Sequence, residues 1–313
     1  MDKSNFMGRD FLKLADFTPD EVIFMVDVSA DFKARLKRRE AHRLFPGYTA
    51  AAIFEKLSTR TRTSFQAACA HLGIMSFYMR PEEMQLGRGE PIKDTARTLD
   101  RYCDVLFIRT FGQQIVDEFA HYMERPVINA LTDQYHPCQG LADLLTIREH
   151  KGSFRGLKVA YAGDVWNVCQ SLMTACAMTG MDYYLAHPQG YDPYPEALQN
   201  ARRFASDSGS RIVLTHSLEE AVDGADVVVA NTWHSMGGPE KTKEQRLQDF
   251  RPFQITPQVM ATAAKDAIFM HCLPAYRGEE MTEEVIEGVQ SVVFDEAENR
   301  LHTEKAVLYL ILA

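Results

Sequence analysis

The chain has 313 residues, of which 46% are hydrophobic and 25% are charged, and its formal net charge is -9. This length favours two domains, and the composition is that of an ordinary globular protein. The acidic balance argues against a general nucleic-acid binder, which needs a basic face, but it allows a locally basic pocket for a small anion.

The six cysteines are scattered and include no Cys-x-x-Cys pair. The first residues carry no basic segment followed by an apolar core, and no apolar run approaches the roughly 20 residues of a membrane helix. These features predict reduced thiols, a cytoplasmic location and no disulfide framework. A zinc site is not expected, because His136, Cys138, His271 and Cys272 lack ligand spacing.

The first part of the chain mixes helical and strand patterns. Thr18 followed by Pro19 and two acidic residues is typical of a helix start. Apolar runs at 50–54, 105–109 and 126–130 predict buried strands, and the pattern at 141–150 predicts a helix.

The second part is a more regular α/β series. Strands are predicted at 157–163, 182–186, 211–215, 225–230 and 267–272, and helices at 168–179, 195–205 and 218–222. Short apolar strands that alternate with helices predict a mostly parallel sheet covered on both faces, so the predicted fold class is α/β. In such sheets ligands bind beyond the carboxyl ends of the strands.

Two segments lie outside this alternation. The stretch 235–253 is too polar to be core, and it predicts either a lid over a site or a solvated surface loop with a short helix. The apolar run 306–312 predicts a helix that docks on the core.

A hydroxyl-rich, basic run follows the first predicted strand: Ser58-Thr59-Arg60-Thr61-Arg62. Apolar positions at Phe65, Cys69 and Leu72, and a stop at Gly73, predict that a helix begins within it. Unpaired N–H groups and the positive dipole end of a helix favour an anion, and hydroxyl and guanidinium donors suit a phosphate. Taken alone, the run is more typical of a helix cap followed by solvated arginines than of a phosphate site.

Four more polar groups follow predicted strands or precede a helix. Each alone is a weak signal, because a single His or Arg there is more often structural. They are Arg109, His136-Pro137-Cys138-Gln139, Asn231-Thr232-Trp233-His234-Ser235-Met236-Gly237 and His271-Cys272-Leu273-Pro274.

Taken together, these groups resemble the aspartate/ornithine carbamoyltransferase family over nearly the whole chain, and most closely its ornithine members. Further matching stretches are Met84-Gln85-Leu86-Gly87, Asp94-Thr95-Ala96-Arg97, Gly140-Leu141-Ala142-Asp143 and Glu296-Ala297-Glu298-Asn299-Arg300. The resemblance implies two doubly wound α/β domains with mostly parallel sheets and a homotrimer, or a multiple of trimers, with active sites between subunits. It implies carbamoyl phosphate and an amine, L-ornithine, as substrates, and no metal or organic cofactor.

The resemblance also implies domain boundaries. Residues 1–135 would bind carbamoyl phosphate, 136–150 would form a linking helix, and 151–295 would bind the acceptor. The C-terminal helix, 296–313, would pack back on the first domain.

Site residues carry over from the matching motifs. Ser58, Thr59, Arg60 and Thr61 would hold the phosphate, while Arg109, His136 and Gln139 would meet the carbamoyl group, with Arg109 also near phosphate. Gln85 would come from a neighbouring subunit, and Arg300 would lie near the carbamoyl end. Cys272 and Leu273 would line the carbamoyl phosphate site beside the reacting amine. Asn167, Asn231, Ser235, Met236 and Cys272 would bind the acceptor, and the catalytic set would be Arg109, His136 and Cys272.

The implied reaction explains these residue types. A neutral amine attacks the carbamoyl carbon, and negative charge grows on the carbamoyl oxygen. Thr61, Arg109 and His136 would stabilise that charge, and Arg60 and the helix end would stabilise the leaving phosphate. Holding both substrates in line would supply much of the rate.

Two departures from the family pattern concern the acceptor. Val165 and Trp166 occupy positions that are usually small, and Asn231 stands where an Asp usually pairs with the acceptor's α-ammonium. Trp166 and Trp233 either narrow the acceptor pocket or pack at strand ends. The alternative is therefore a different amine acceptor, such as an N-modified ornithine, putrescine or another diamine or diamino acid.

Other classes of function fit less well. An aspartate carbamoyltransferase needs basic residues that the 235–237 and 272–273 stretches do not supply. A thiol hydrolase using Cys272 shows no orienting partner in the sequence, and a nucleotide oxidoreductase lacks the glycine fingerprint after Gly163. A non-catalytic carbamoyl phosphate-binding protein is argued against by Arg109, His136, Gln139 and Cys272.

Overall fold

The computed structural model describes residues 2–234 and 241–313. It contains two compact units, one formed by residues up to Ala142 together with Glu298–Ala313, and the other by Asp143–Ala297. None of the described helices is both long and apolar enough to cross a membrane.

The first unit is built on a four-stranded sheet. All its strand pairs are parallel, and the spatial order is β2-β1-β3-β4. The strands are β1 (Thr49–Phe54), β2 (Met75–Met79), β3 (Val105–Arg109) and β4 (Val127–Leu131). Strands β1, β3 and β4 are almost entirely buried, as expected for a parallel sheet covered on both faces.

Helices flank this sheet: α1 (Pro19–Lys37), α2 (Arg60–Leu72), α3 (Ile92–Leu99), α4 (Gln113–Tyr122) and the start of α5 (Pro137–Lys151). Helix α1 begins with a capping box, in which Thr18 accepts from the Glu21 N–H and the Glu21 carboxylate accepts from the Thr18 N–H. Short 3-10 turns lie at Lys3–Asn5, Leu14–Asp16, Pro81–Glu83 and Gln85–Arg88.

The second unit carries a five-stranded parallel sheet in the order β7-β6-β5-β8-β9. Its strands are β5 (Lys158–Ala162), β6 (Asp182–Ala186), β7 (Ile212–Thr215), β8 (Val227–Ala230) and β9 (Ile268–Met270). Its helices are α6 (Asn167–Thr179), α7 (Pro195–Ser208), α8 (Leu218–Val222), α9 (Lys243–Phe250), α10 (Pro257–Met260) and α11 (Glu283–Ile286), with a 3-10 turn at Arg251–Phe253. The last helix, α12 (Val293–Leu312), begins in this unit and continues into the residues of the first.

The predicted α/β fold class is confirmed. The predicted strand at 105–109 and helix at 218–222 match the observed bounds, and the Gly73 and Gly180 stops are left-handed helix ends. Strand β2 was not predicted. Helix α5 begins four residues earlier than predicted, at Pro137, whose fixed backbone angle suits a first helical position.

The prediction that 235–253 is too polar to be core holds for most of residues 241–253, which are exposed or half-buried and include the short helix α9. Three of these residues are exceptions. Phe250 and Phe253 are buried there, and so is Arg246, because its charge is balanced by a buried carboxylate. The lid predicted for this stretch includes residues 235–240, which lie outside the described residues.

Candidate active site

In each sheet the strand order reverses between two neighbouring strands. The first reversal lies between β1 and β3, because α2 leads β1 to β2 on one side while β3 lies on the other. The second lies between β5 and β8. Such a switch point leaves a crevice beyond the carboxyl ends of the two strands, where open α/β sheets bind ligands. The Ser58–Arg62 run follows β1, Arg109 ends β3, and the run that begins at Asn231 follows β8. The other two runs follow the neighbouring strands: 136–139 comes after β4 and 271–274 after β9.

At the first switch point, the end of β1 pairs with Arg109. Phe54 is its register partner, and the Glu55 N–H donates to the Arg109 carbonyl at 2.9 Å. Arg109 is buried despite its charge. Helix α2 then begins at Arg60, five residues beyond Glu55, so the helix start and Arg109 belong to the same end of the sheet.

The start of α2 has the features of an anion site. Thr59 is its N-cap residue and makes no side-chain capping bond, while the Ser58 hydroxyl accepts from the Thr61 N–H at 3.2 Å. The helix is 13 residues long, so its first-turn N–H groups carry the positive end of a full dipole. Arg60 is half-buried and Thr61 is buried.

Arg300 connects this helix start to α5. One guanidinium nitrogen, Nη1, donates to Gln139 Oε1 at 3.0 Å and lies 3.4 Å from His136 Nε2. The other, Nη2, donates to Thr61 Oγ1 at 3.1 Å and to the Glu304 carboxylate at 2.8 Å. Four of the predicted residues are therefore joined within the first unit.

His136 is uncharged in this environment. Burial lowers its pKa well below the ordinary value, and the positive charges of Arg300, Arg109 and Arg60 lower it further. Because an arginine N–H can only donate, the contact with Arg300 makes Nε2 the acceptor and puts the imidazole proton on Nδ1. The three guanidinium groups favour the neutral imidazole, which can donate a hydrogen bond to an oxygen while keeping its own proton.

Lys56 is a buried cation that the sequence did not reveal. This side chain is buried, pairs with Asp133 and lies 4.2 Å from the centre of the Phe111 ring. Burial lowers its pKa, although Asp133 opposes that effect. Its position two residues before Ser58 was the only available signal, and lysines near strand ends are usually solvated.

At the second switch point the strand ends approach very closely. The Asn231 N–H donates to the Ala162 carbonyl at 3.2 Å, and the Asp164 N–H donates to the Thr232 carbonyl at 3.3 Å. A Cβ atom on Gly163 would lie 2.4 Å from the Asn231 carbonyl oxygen, so only glycine fits there. This approach brings the segment before α6 beside the segment after β8.

Asn231 and Cys272 meet at this end of the sheet. The Cys272 thiol donates to Asn231 Oδ1 at 3.4 Å, and the side chain of Asn231 also bonds Tyr161. The Tyr161 hydroxyl donates its proton to the Asp164 carbonyl at 2.9 Å, so its oxygen accepts from the Asn231 amide. Asn167 is buried in the first turn of α6.

The remaining predicted residues are less closely connected. Gln85 is exposed in a 3-10 turn, and Leu273 is half-buried with its N–H donating to His271 Nδ1 at 2.8 Å. Cys272 and Leu273 belong to the second unit, whereas the other predicted carbamoyl phosphate residues belong to the first. Ser235 and Met236 lie outside the described residues.

The thiol-hydrolase alternative gains nothing from His271. Its Nε2 lies 3.0 Å from the buried Glu280 carboxylate, and its Nδ1 accepts from the Leu273 backbone. Both ring nitrogens are therefore engaged away from the neighbouring Cys272 thiol, and the imidazole cannot serve as its base in this arrangement.

Arg246 is a second buried cation that the sequence did not reveal. Its Nε donates to the Trp233 carbonyl at 2.7 Å, it forms an ion pair with Asp164, and its guanidinium lies 5.0 Å from the centre of the Tyr191 ring. Trp233 is buried and stacks on Phe250 at 6.3 Å between ring centres. Arg246 thus ties α9 to the segments that follow β5 and β8.

The described residues show no group of three or more His, Cys, Asp or Glu side chains placed to hold a metal ion. The six cysteines all lie within those residues and are free thiols.

The chain is therefore an α/β protein of two units, each built on a parallel sheet. One unit has an arginine cluster at its switch point, and the other has an amide–thiol pair at its switch point. Residues 9–149 match the carbamoyl-P binding domain of aspartate/ornithine carbamoyltransferase, and residues 155–311 match its Asp/Orn binding domain. The chain therefore belongs to the aspartate/ornithine carbamoyltransferase family.

Individual relatives agree with this assignment. The chain is 48% identical over 309 residues to the ornithine carbamoyltransferase of Carboxydothermus hydrogenoformans, covering 99% of each sequence. It is 47% identical over 305 residues to the anabolic ornithine carbamoyltransferase of Pyrococcus furiosus, covering 97% of this chain and 96% of the relative. The solved ornithine carbamoyltransferase structure from P. furiosus has a TM-score of 0.94, 46% identity and 98% coverage of both chains.

Proposed function

We propose that this protein transfers the carbamoyl group of carbamoyl phosphate to the side-chain amine of L-ornithine, giving L-citrulline and phosphate, a reaction of arginine metabolism. Its family membership and its full-length relatives support this function. The observation that carries the proposal is the Arg300 cluster, which joins Thr61 at the start of α2 to Gln139 on α5 and to His136 just before that helix.

The first unit would bind carbamoyl phosphate. The phosphate group would take the N–H groups at the start of α2, with Ser58, Thr59, Arg60 and Thr61 supplying side-chain donors. The carbamoyl group would then face Arg109, His136, Gln139 and Arg300. Three guanidinium groups that act on one neutral imidazole indicate a strongly positive site in an otherwise acidic protein.

The chemical step follows from these donors. The neutral side-chain amine forms a bond to the carbamoyl carbon as the bond from that carbon to the phosphate oxygen breaks. Thr61, Arg109 and His136 would stabilise the charge that grows on the carbamoyl oxygen, and a preorganised donor of this kind is worth roughly a hundredfold or more in rate. The amine proton leaves with the phosphate, which Arg60 and the helix start stabilise.

The second unit would bind ornithine. Asn167 and Asn231 flank the close approach of the β5 and β8 ends, and Cys272 bonds Asn231 there. We assign Ser235 and Met236 to the same role on the strength of their motif. The relatives named as ornithine carbamoyltransferases support ornithine and give no support to the alternative acceptors suggested by Asn231 and Trp166.

We also propose a homotrimer, or a multiple of trimers, in which Gln85 completes a neighbouring subunit's site. Its exposed position is compatible with that role. The cytoplasmic location and the boundaries of the two substrate domains stay predictions. Size-exclusion chromatography with light scattering would measure the assembly, and a monomer with full activity would contradict the role of Gln85.

The function is tested by an acceptor screen with radiolabelled carbamoyl phosphate. The panel contains ornithine, N-acetylornithine, putrescine, lysine, 2,3-diaminopropionate and aspartate. We expect citrulline from ornithine at a kcat/KM at least a hundredfold above that for any other acceptor. Higher turnover with another amine would contradict ornithine, and no turnover with any amine would contradict a transferase.

Two neighbouring arginines provide a matched pair for the same assay. Arg60→Ala should lower kcat/KM for carbamoyl phosphate by about a hundredfold, because a charged donor to the phosphate is lost. Arg62→Ala removes an exposed arginine that lies over the Tyr78 ring at 3.6 Å and should change it by less than threefold. Equal losses in both variants would contradict a phosphate site at the start of α2.

A further inference from the structure

Helix α12 buries a carboxylate to which the chemical step described above assigns no role. Glu304 is 2% exposed and lies one helical turn beyond Arg300, so the two side chains share one face of the helix. Its Oε1 accepts from Arg300 Nη2 at 2.8 Å. Its other oxygen, Oε2, is buried and has no hydrogen-bond partner among the described residues.

Burial at this position is energetically unfavourable for a charged group. The helix continues from Glu304 into a buried apolar segment that includes Ala306, Val307 and Leu308. A carboxylate enclosed there loses its hydration, and a single ion pair with one unsatisfied oxygen restores that loss only in part. A carboxylate that is buried at this cost points to a role for its charge.

The groups that face Glu304 come from three helices. Arg300 on α12 is the cation, the Ser64 hydroxyl on α2 favours the charged form, and the charge of Glu304 affects two thiols, Cys69 on α2 and Cys138 on α5. The charge of Arg300 does not offset the loss of hydration that burial imposes on the carboxylate. Burial raises the pKa of Glu304 to about 7, and Arg300 and Ser64 counteract only part of that increase. The carboxyl group therefore exchanges its proton close to neutral pH.

The contact pattern connects this carboxyl to the substrate site. Arg300 Nη2 is divided between Glu304 and Thr61, and this fixes the plane of the guanidinium group. That plane in turn directs Nη1 towards Gln139 and His136. An ionised carboxylate holds Nη2 with a charge-assisted bond, whereas a protonated carboxyl is a weaker acceptor and leaves the guanidinium freer to rotate.

We propose that Glu304 is a positioning residue whose ionised form orients Arg300 for carbamoyl phosphate, so that gaining a proton on this buried carboxyl weakens use of that substrate. The inference rests on the proposed function, because it takes Arg300 as a group that meets carbamoyl phosphate. It adds a proton-sensitive control that acts through Arg300.

The test compares wild type with Glu304→Gln, which keeps the shape and removes the charge. kcat/KM for carbamoyl phosphate is measured from pH 5.5 to 8.5 at saturating ornithine. The ratio of wild type to variant cancels the titration of both substrates and leaves that of Glu304. We expect a ratio of about ten at pH 8 that falls towards one by pH 5.5, with the ornithine KM changed less than threefold.

Two further variants separate positioning from loss of structure. Glu304→Asp keeps the negative charge on a side chain that is one methylene shorter, and it should preserve a pH-dependent advantage over Glu304→Gln, even with a smaller ratio. Glu298→Gln changes a carboxylate on the same helix that is 44% exposed, and its ratio should stay near one at every pH. If Glu304→Gln does not fold, the pH profiles of the Glu304→Asp variant and wild type still decide, because the inference requires both to show the neutral-pH step.

Direct binding keeps this inference distinct from the proposed function. Calorimetric titration with carbamoyl phosphate should give a wild-type affinity about tenfold above that of Glu304→Gln at pH 8 and similar affinities at pH 5.5. A protein that binds in this way but forms no citrulline would contradict the proposed function and support the inference. A ratio that does not change with pH, or tighter binding by Glu304→Gln at pH 8, would overturn the inference.

Discussion

Several residues that define the two switch points are polar and almost fully enclosed. Arg109, His136, Gln139, Asn231 and Arg300 are each less than a tenth exposed. Burying such groups is unfavourable unless each has partners, and the contacts of Arg300 show how one side chain can supply partners to several others. The sequence predicted the residues through their motif, but it could not predict which of them touch.

Because Asn231 replaces the usual Asp, the sequence left two possible acceptors open, ornithine or a different amine. Its Oδ1 accepts from Cys272 and its amide donates to Tyr161, so the side chain is held with a defined orientation. Whether the α-ammonium of ornithine meets this side chain decides how much a carboxylate would improve binding.

We predict that Asn231→Asp lowers the ornithine KM by about tenfold at pH 8. A charge-assisted hydrogen bond contributes about 1.5–3 kcal/mol, against about 1 kcal/mol for a neutral one. The same change removes the amide donor to Tyr161 and should lower the free energy of unfolding by roughly 1–3 kcal/mol. Steady-state kinetics with ornithine and urea unfolding measure the two effects.

Asn231→Leu is the control for this prediction. It should raise the ornithine KM and leave the carbamoyl phosphate KM within threefold of wild type. Equal ornithine KM values for wild type and Asn231→Asp would mean that this side chain does not meet the α-ammonium.

Among the elements, those with a strong pattern were predicted and those with a mixed pattern were not. The fully buried strand β3 gives a continuous apolar run, which periodicity detects. Strand β2 lies at the sheet edge and is exposed or half-buried along its length, so its residues show neither a buried run nor a clean alternation. Most of helix α9 is exposed or half-buried, as predicted, but the burial of Arg246 was not predicted because the carboxylate that neutralises it, Asp164, is far away in sequence.

The close approach of β5 and β8 depends on a single glycine. Gly163 has a φ of +154°, and a Cβ there would lie 2.4 Å from the carbonyl oxygen and 2.7 Å from the backbone nitrogen of Asn231. Because both atoms belong to the backbone, the strand ends would have to separate, and Asn231 would move with them.

We predict that Gly163→Ala costs about 3 kcal/mol or more of unfolding free energy and raises the ornithine KM at least tenfold. Gly209→Ala is the matched control, since Gly209 also has positive φ, at +81°, but has nothing within 4 Å of the added Cβ. It should cost only the backbone strain, about 1 kcal/mol, and leave the kinetics unchanged. Similar kinetics in both variants would show that the close approach does not position the acceptor site.

At the scale of the whole molecule, the protein is acidic, yet among the described residues the buried carboxylates do not outnumber the buried lysines and arginines. Two buried ionisable groups on helix α12 have opposite tendencies. Burial lowers the pKa of His302 from 6.5 to about 3, assisted by Lys305 and Lys33, whereas the pKa of Glu304 is raised from 4.5 to about 7. Stability as a function of pH therefore contains two terms of opposite sign.

The signs follow from which state binds the proton. Below pH 6.5 the unfolded chain protonates His302 and the folded one does not, so this term lowers stability as the pH falls from 6.5 to 3. Between pH 7 and 4.5 the folded protein protonates Glu304 and the unfolded one does not, so this term raises stability as the pH falls. The two terms oppose each other between pH 6.5 and 4.5, and below that the histidine acts without this compensation.

We predict that His302→Gln makes the protein less sensitive to acid. Below pH 6.5, the unfolding free energy of wild type should fall relative to that of the variant by up to about 1.4 kcal/mol for each pH unit of acidification. Urea unfolding at half-unit steps from pH 7.5 to 4 measures this slope. Glu304→Gln should give a slope of the opposite sign between pH 7 and 4.5. A difference for His302→Gln that stays constant over that range would mean that the buried imidazole gains its proton in the folded protein as readily as in the unfolded chain.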